Sequence, residues 1–319
     1  PDGAQLLYNF ATCVCGAAAS WEEDAIIRLA VERIRQAAPE GRVLCAVSGG
    51  VDSAVCARLA SMAVGDRLMC VFVDTGLFRQ GEPENVISTF MDSLGLVVAH
   101  VDASEAFLHA LSGVRSRDDK ERIAAQLMTQ VLIKQLSYDP GIRTIVMGAN
   151  LNDTLFGFSA GAEMEHLKGG YDLHVCEPVR DLFKEEVRRL ATALSLPDSI
   201  ALRQPFPASG LALRIFGQVT PERLAVLRAA DACFSEEICE GGYARRLWQY
   251  YTNLVDSPDQ PGAYAISLRA LQASQGGATA ARLAFDVLER ASERIRSEVK
   301  GIVRVVYDLT PSNHYGEME

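Results

Sequence analysis

Ser48-Gly49-Gly50-Val51-Asp52-Ser53 follows the apolar run 43–47 and opens the helical pattern 54–62. A strand that breaks at paired glycines and restarts as a helix leaves several backbone N–H groups pointing, unpaired, into one small volume. Such a turn is an anion site. Gly49 and Gly50 let the backbone approach an oxyanion closely. Ser48 and Ser53 add hydroxyl donors, and Asp52 can hold Mg2+ against a polyphosphate. Pyrophosphate fits such a loop. It contains neither the lysine of a Walker loop nor the third glycine of a dinucleotide fingerprint, so kinase-type transfer and hydride chemistry are not suggested. The competing reading is an ordinary tight strand-to-helix turn.

Outward from the loop, apolar runs recur at 43–47, 68–73, 96–101 and 144–147, each separated from the next by a helix-length segment. Continuous apolar strands alternating with helices predict a parallel, doubly wound α/β sheet. Ligands of such sheets bind at the carboxyl ends of the strands. There the sequence places the loop, then Val73 and Asp74, then Asp102, and finally Gly148 with Asn150. Asp74 ends its strand where an adenosine would lie, and it equally suits a turn cap. Asp102 reads as a cap.

Ser20-Trp21-Glu22-Glu23 reads as a capping box ahead of Ile26, Ile27, Ala30, Val31 and Ile34 at helical spacing. Segment 115–128 is dense in charge and reads as a solvated helix start. Glycines and polar residues dominate 148–170, which suits a mobile lid. Asp181 is expected to cap a helix through Leu194, and 203–207 to form a hinge. Beyond it the pattern predicts a strand at 211–216, a helix from Pro221 through Ala232, a strand at 264–268, a helix at 281–299 and a strand at 302–309. The expected organisation is a linker (1–19), a doubly wound domain (20–203) and a smaller α+β domain (204–319).

A length of 319 residues with 49% apolar content supports two cores. The net charge of −10 argues against a broad nucleic-acid surface and favours a small-molecule substrate. No apolar run approaches a membrane span. The eight cysteines form no compact framework, so a reducing cytoplasm is expected. Cys45 and Cys70 lie in apolar runs as small hydrophobes; Cys13 and Cys15 lack zinc-site partners and read as packing residues.

The stretches VLCAVSGGVDSAV, MCVFVDTGLFRQGE, HVDASEAFLHALSGV, CEPVRDLFKEEVRRL, RQPFPASGLALRIFG and IVRVVYDLT occur in that order. The chain thereby resembles the synthetase part of the GMP synthetases, in the ATP pyrophosphatase (PP-loop) superfamily. The resemblance implies an adenine nucleotide alpha hydrolase-like sheet followed by an α+β dimerisation domain. It implies ATP and Mg2+, with Ser48 to Ser53, Val73, Asp74 and Gly148 on ATP and with Asp52 and Asp153 as metal ligands. Arg122, Arg269 and Glu317 fall at substrate-binding positions. The lid lysine of the family is replaced by Glu163, leaving His166 and the glycines in common, and Lys168 is the neighbouring substitute. Glu121 stands where a basic residue is expected, and the terminus keeps Glu317 and Glu319 without the family's lysine.

The implied reaction is attack of the C2 carbonyl oxygen of xanthosine monophosphate on the α phosphorus of ATP, followed by displacement of AMP by ammonia. It also implies a homodimer, with ammonia from a glutaminase domain or subunit; PDGAQLLYNFATCVCG resembles the linker after such a domain. Two other readings stay open. One changes the acceptor or delivers sulfur, with Cys176 as the candidate carrier; the other is a nucleotide-binding dimer without turnover.

Overall fold

The structure is a computed structural model describing residues 3–18, 21–156, 164, 172–201, 203–207, 209–258, 260–274 and 277–311. Strands β1 (Arg42–Val47), β2 (Leu68–Asp74), β3 (Val98–Asp102), β4 (Ile142–Val146) and β5 (His174–Cys176) form one sheet in the order β3-β2-β1-β4-β5. All adjacent pairs are parallel. The order runs one way from β1 to β3 and the other way through β4 and β5, so a topological switch point lies at the carboxyl ends of β1 and β4. The doubly wound sheet expected from the apolar runs is the observed one.

Segment α1 (Gly3–Asn9) precedes α2 (Glu23–Ala37), α3 (Val51–Val64), α4 (Glu82–Ser88), α5 (Ser104–Ala110), α6 (Arg117–Tyr138), α7 (Leu151–Phe156), α8 (Lys184–Ala193) and α9 (Asp198–Ala201). Alternation along β1 divides these between two faces. Val43, Cys45 and Val47 meet Ile34 of α2, Val55 of α3 and Leu190 of α8. Leu44 points the other way, into a core with Phe107 of α5 and Leu132 of α6.

That second core continues into the C-terminal part. Antiparallel β6 (Gln249–Asp256), β7 (Tyr264–Ser274) and β8 (Gly277–Ala280) are joined by β9 (Ile302–Tyr307), parallel to β7. Phe234 and Ile238 of α10 (Pro221–Glu240) and Ala291 and Ile295 of α11 (Phe285–Glu298) pack with Ile266 and Leu268 of β7. Polar contacts fasten the two parts. Arg228 donates to the carbonyls of Phe78 (2.9 Å) and Gly76 (2.7 Å), and Arg79 Nε lies 3.1 Å from Asp231, which is 2% exposed. Breaking a buried pair of this kind typically costs about 3–5 kcal/mol.

Several expectations are corrected. Residues 211–216 do not form a strand; Gly210–Arg214 is a 3-10 turn. The buried Lys120 ammonium takes the carbonyls of Ala212 (3.0 Å) and Ile215 (2.6 Å), which a sheet ladder would need. Gly210 starts that turn at φ 58°, where an added Cβ would meet Leu77. Cys13 and Cys15 are exposed, because α1 and the π-helical turn Phe10–Val14 bury no residue. Glu22, not Ser20, stands at the N-cap of α2, and Ser20 lies outside the described residues. Asp181 pairs with Arg33 (2.8 Å) instead of capping; α8 starts at Lys184, where Glu186 accepts the Phe183 N–H at 2.8 Å. The helix from Pro221 runs on to Glu240, β8 was not expected, and β6 is the strand that leads into the expected turn at 256–262. Most of the expected lid lies outside the described residues. Among the described residues no helix is long and apolar enough to cross a membrane.

Burial, with Arg223 adding to it, pushes the Lys120 ammonium down to about 8. Between that value and an ordinary lysine value the unfolded chain holds a proton that the folded chain has released, so stability rises with pH across that interval. Lys120→Met, which strips donors from two carbonyls, is expected to destabilise by about 1–3 kcal/mol. Urea unfolding should show the deficit of the variant widening from about pH 8 to about 10.5. A deficit that stays constant with pH contradicts this assignment.

Candidate functional site

After Val47 the chain turns through Ser48 and through Gly49 at φ 78°, and Gly50 at φ −72°, ψ 158° caps α3. The serine hydroxyls fold this turn onto itself. Ser53 Oγ accepts the Ser48 N–H (3.1 Å) and donates to Gly50 O (3.0 Å), while Ser48 Oγ accepts the Gly50 N–H (3.3 Å) and lies 3.2 Å from Ser53 Oγ. Since the Ser53 proton goes to Gly50 O, the Ser48 hydroxyl donates to Ser53. The hydroxyls therefore brace the loop rather than stand free as donors. Among the described residues the N–H groups of Gly49, Val51, Asp52 and Ser53 have no acceptor. They gather at the positive end of a fourteen-residue helix.

The exit of β4 closes against this turn. A Cβ at Gly148 would lie 2.8 Å from Ser53 N and 3.0 Å from the Asp52 carbonyl carbon, so only glycine allows the approach. Two residues on, the 1%-exposed Asn150 caps α7. Its Oδ1 accepts the N–H groups of Asn152 (2.8 Å) and Asp153 (3.3 Å), and Asp153 Oδ2 accepts the Asn150 N–H (2.9 Å). Asp153 thus lies in a helix with a reciprocal cap, where the sequence suggested irregular chain.

Asp52 is drawn into the same cluster. One oxygen is ion-paired with Lys184, and the other faces Asn150 Nδ2 at 3.5 Å. Burial raises the Asp153 carboxyl above its ordinary value; the Asn150 hydrogen bond and Lys184 oppose this, whereas Asp52 and Glu177 add to it. Lys184 escaped the sequence reading because Asp181 is the better cap by residue type. With Phe183, two residues later, as the N-cap of α8, Lys184 becomes its first residue. Glu186, three after Phe183, was the available signal.

Pairing of Val47 with Phe72 sets Val73 and Asp74 beside the loop. Asp74 Oδ1 accepts the Gly76 N–H (2.8 Å), and Oδ2 lies 3.7 Å from His100 Nε2. Asp102 accepts the Ser104 N–H (2.9 Å) across a tight turn, while Ala103 stands at the N-cap of α5. The loop, Val73, Asp74, Gly148, Asn150 and Asp153 therefore share one end of the sheet. Arg122 pairs with Asp119 (2.9 Å) on an exposed face, and Arg269 with Asp308 (2.8 Å) in the second sheet. Among the described residues neither arginine bonds to the loop. Glu121 pairs with Arg117 (3.4 Å). Lys168, Glu163, His166, Glu317 and Glu319 lie outside the described residues.

Against known families, residues 25–220 match the model described as NAD synthase, and residues 236–314 that described as GMP synthase C terminal domain. The chain is 40% identical to a GMP synthase [glutamine-hydrolyzing] of Carboxydothermus hydrogenoformans, over 97% of this chain and 64% of that protein. Identity to the GMP synthase [glutamine-hydrolyzing] of Bacillus cereus is 38%, over 97% of this chain and 63% of that one. The chain thus spans a little under two thirds of the length of these relatives. A solved NMN synthetase structure from Francisella tularensis is similar over 60% of this chain and 78% of that chain, with TM-score 0.48 and 19% identity.

Two measurements check the geometry. Gly148→Ala should push the first turn of α3 aside, lowering stability by about 1–3 kcal/mol and weakening Mg-pyrophosphate binding in calorimetry; unchanged binding contradicts the contact. Lys184→Met removes the cation that holds Asp153 down, so carboxyl NMR should find Asp153 titrating higher than in the parent.

Proposed function

We propose that this chain, which belongs to the NAD synthase family across residues 25–220 and carries a GMP synthase C terminal domain across 236–314, activates the C2 carbonyl of xanthosine monophosphate with ATP. AMP and pyrophosphate are released and amination yields GMP. The observation that carries this reading is the set of four N–H groups without an acceptor at the start of α3, beside Asp52, Asp153 and Lys184.

Donors held in place before charge develops stabilise a leaving group without reorganisation. In this reading Ser48 to Ser53 hold the β and γ phosphates, so that pyrophosphate departs along the axis of α3. Val73, Asp74 and Gly148 form the adenosine side. The carbonyl oxygen of the acceptor attacks the α phosphorus in line, and ammonia later displaces AMP from C2. No protein nucleophile is required, and positioning supplies much of the acceleration. Lys184 sits where it can pass from Asp52 to phosphate oxygen, and Lys168 would add a second cation.

The residues present fit Mg2+. Asp153 keeps Oδ1 without a hydrogen bond among the described residues, and Asp52 contributes a second hard oxygen donor. Two carboxylates without a closed protein cage suit an ion that takes its remaining ligands from phosphate and water. Bound there, Mg2+ would neutralise polyphosphate charge.

We assign Arg122, Arg269 and Glu317 to the acceptor nucleotide, which requires both arginines to exchange their carboxylate partners for substrate. The domain division at residue 203/204, a homodimer through the C-terminal part, ammonia from a glutaminase domain or subunit, and a reducing cytoplasm complete the proposal. All eight cysteines are free thiols, which suits that setting. Burial pushes the Cys176 thiol up to about 11, which disfavours it as a sulfur carrier.

Pyrophosphate, AMP and GMP should form in equal amounts when ATP, Mg2+, ammonia and xanthosine monophosphate are all present. Asp52→Ala should lower that rate by at least about 100-fold. Pyrophosphate release that ignores xanthosine monophosphate contradicts this acceptor.

A further inference from the structure

Arg203, read from the sequence as part of a hinge, grips the glycine loop from behind. Its guanidinium pairs with Glu82 at the start of α4 and donates through Nη1 to Ser48 O at 3.4 Å. It also covers Gly49, where an added Cβ would run into Arg203 Nη1 and Val86. The second Glu82 oxygen accepts the Arg79 N–H at 3.0 Å, so the carboxylate that orients the guanidinium is itself fixed. Arg188 holds the surrounding backbone through the carbonyls of Ala201 (2.6 Å) and Arg203 (3.2 Å). The pair is well shielded, with the Arg203 side chain 18% and that of Glu82 14% exposed.

Among the described residues there is no cis peptide bond, and in a planar trans unit the carbonyl and the following N–H point to opposite sides. A donor that pins Ser48 O on one side therefore directs the Gly49 N–H to the other. The Gly49 N–H is one of the four without an acceptor, and it alone of these lies outside α3. Val51, Asp52 and Ser53 have their N–H directions set by the helix, whereas Gly49, at a φ open to glycine, has no such restraint.

We propose that Arg203, oriented by Glu82, is a positioning residue that aims the Gly49 N–H at the departing pyrophosphate. The inference rests on the reading that this loop holds pyrophosphate. It also gives 203–207 a role other than bending, because the same segment is tied to the second sheet by Tyr250 N–H on Gln204 Oε1 (2.7 Å) and Gln249 Nε2 on Pro205 O (2.9 Å).

The test is amide NMR of the full chain titrated with magnesium pyrophosphate, comparing the parent with Arg203→Met, Arg203→Lys and Glu82→Gln. In the parent, the amides of Gly49, Val51, Asp52 and Ser53 should all shift. In Arg203→Met and Glu82→Gln the Gly49 shift should be lost while the three helix amides still respond. Arg203→Lys, which keeps a cation for Glu82, should restore part of it. Turnover of Arg203→Met should fall by about 10-fold or more, part of what removing an oxyanion donor outright costs. A Gly49 shift that survives in both Arg203→Met and Glu82→Gln overturns the inference alone, and so does joint loss of all four shifts, which marks a merely structural role. No shift in the parent overturns the functional reading, and this inference falls with it.

Discussion

The N–H groups of Gly49, Val51, Asp52 and Ser53 emerge at the start of α3 without an acceptor in the described chain, and the surrounding contacts keep them directed. Left alone, such donors would turn to water or to a nearby carbonyl. Ser48 and Ser53 brace the turn that presents them, with both hydroxyls bonded within the loop itself. Gly148 lets the exit of β4 press on the first turn, and Arg203 holds the Ser48 carbonyl from behind. The switch-point topology supplies the remaining requirement by placing the ends of β1 and β4 side by side.

The carboxylates around this end carry opposing demands. Asp52 and Asp153 repel each other, yet both belong to the cluster that a divalent cation and a polyphosphate would share. Lys184 and the Asn150 cap moderate that repulsion. Farther out, the stretch after β2 is gripped by the C-terminal part through Arg228, Asp231 and the Leu211 N–H on Leu77 O at 2.8 Å. Arg79 belongs to this grip and, through its N–H on Glu82, also to the Arg203 contact. The loop and the second sheet are therefore linked by a continuous set of hydrogen bonds and ion pairs.

What was legible in the sequence was local. Paired glycines after an apolar run announced the β1–α3 turn, and continuous apolar strands announced the parallel sheet, because both signals are steric or periodic within a few residues. What escaped depends on partners far along the chain. The bounds of β6 were hidden because Gln249 and Thr252 are polar yet buried; the Thr252 hydroxyl finds Asp231 at 3.3 Å and Gln249 finds Pro205 at 2.9 Å. Residues 211–216 have the composition of a strand, but Lys120, packed in from α6, donates to the carbonyls of Ala212 and Ile215. Asp181 is a better cap than Phe183 by residue type, but Arg33 claims it. Cys13 and Cys15 sit in a segment that looks fit for packing and meets no core.

The proposed reaction requires the loop to part ATP between its α and β phosphates, driven by a purine carbonyl. Positional isotope exchange in ATP carrying 18O in the α–β bridge, with Mg2+ and xanthosine monophosphate but without ammonia, tests it directly. The bridge oxygen should scramble into the nonbridging β positions, dependent on xanthosine monophosphate, and the scrambling should be lost in Asp52→Ala. Formation of ADP, or a bridge that stays unscrambled while ATP is demonstrably bound, would contradict it.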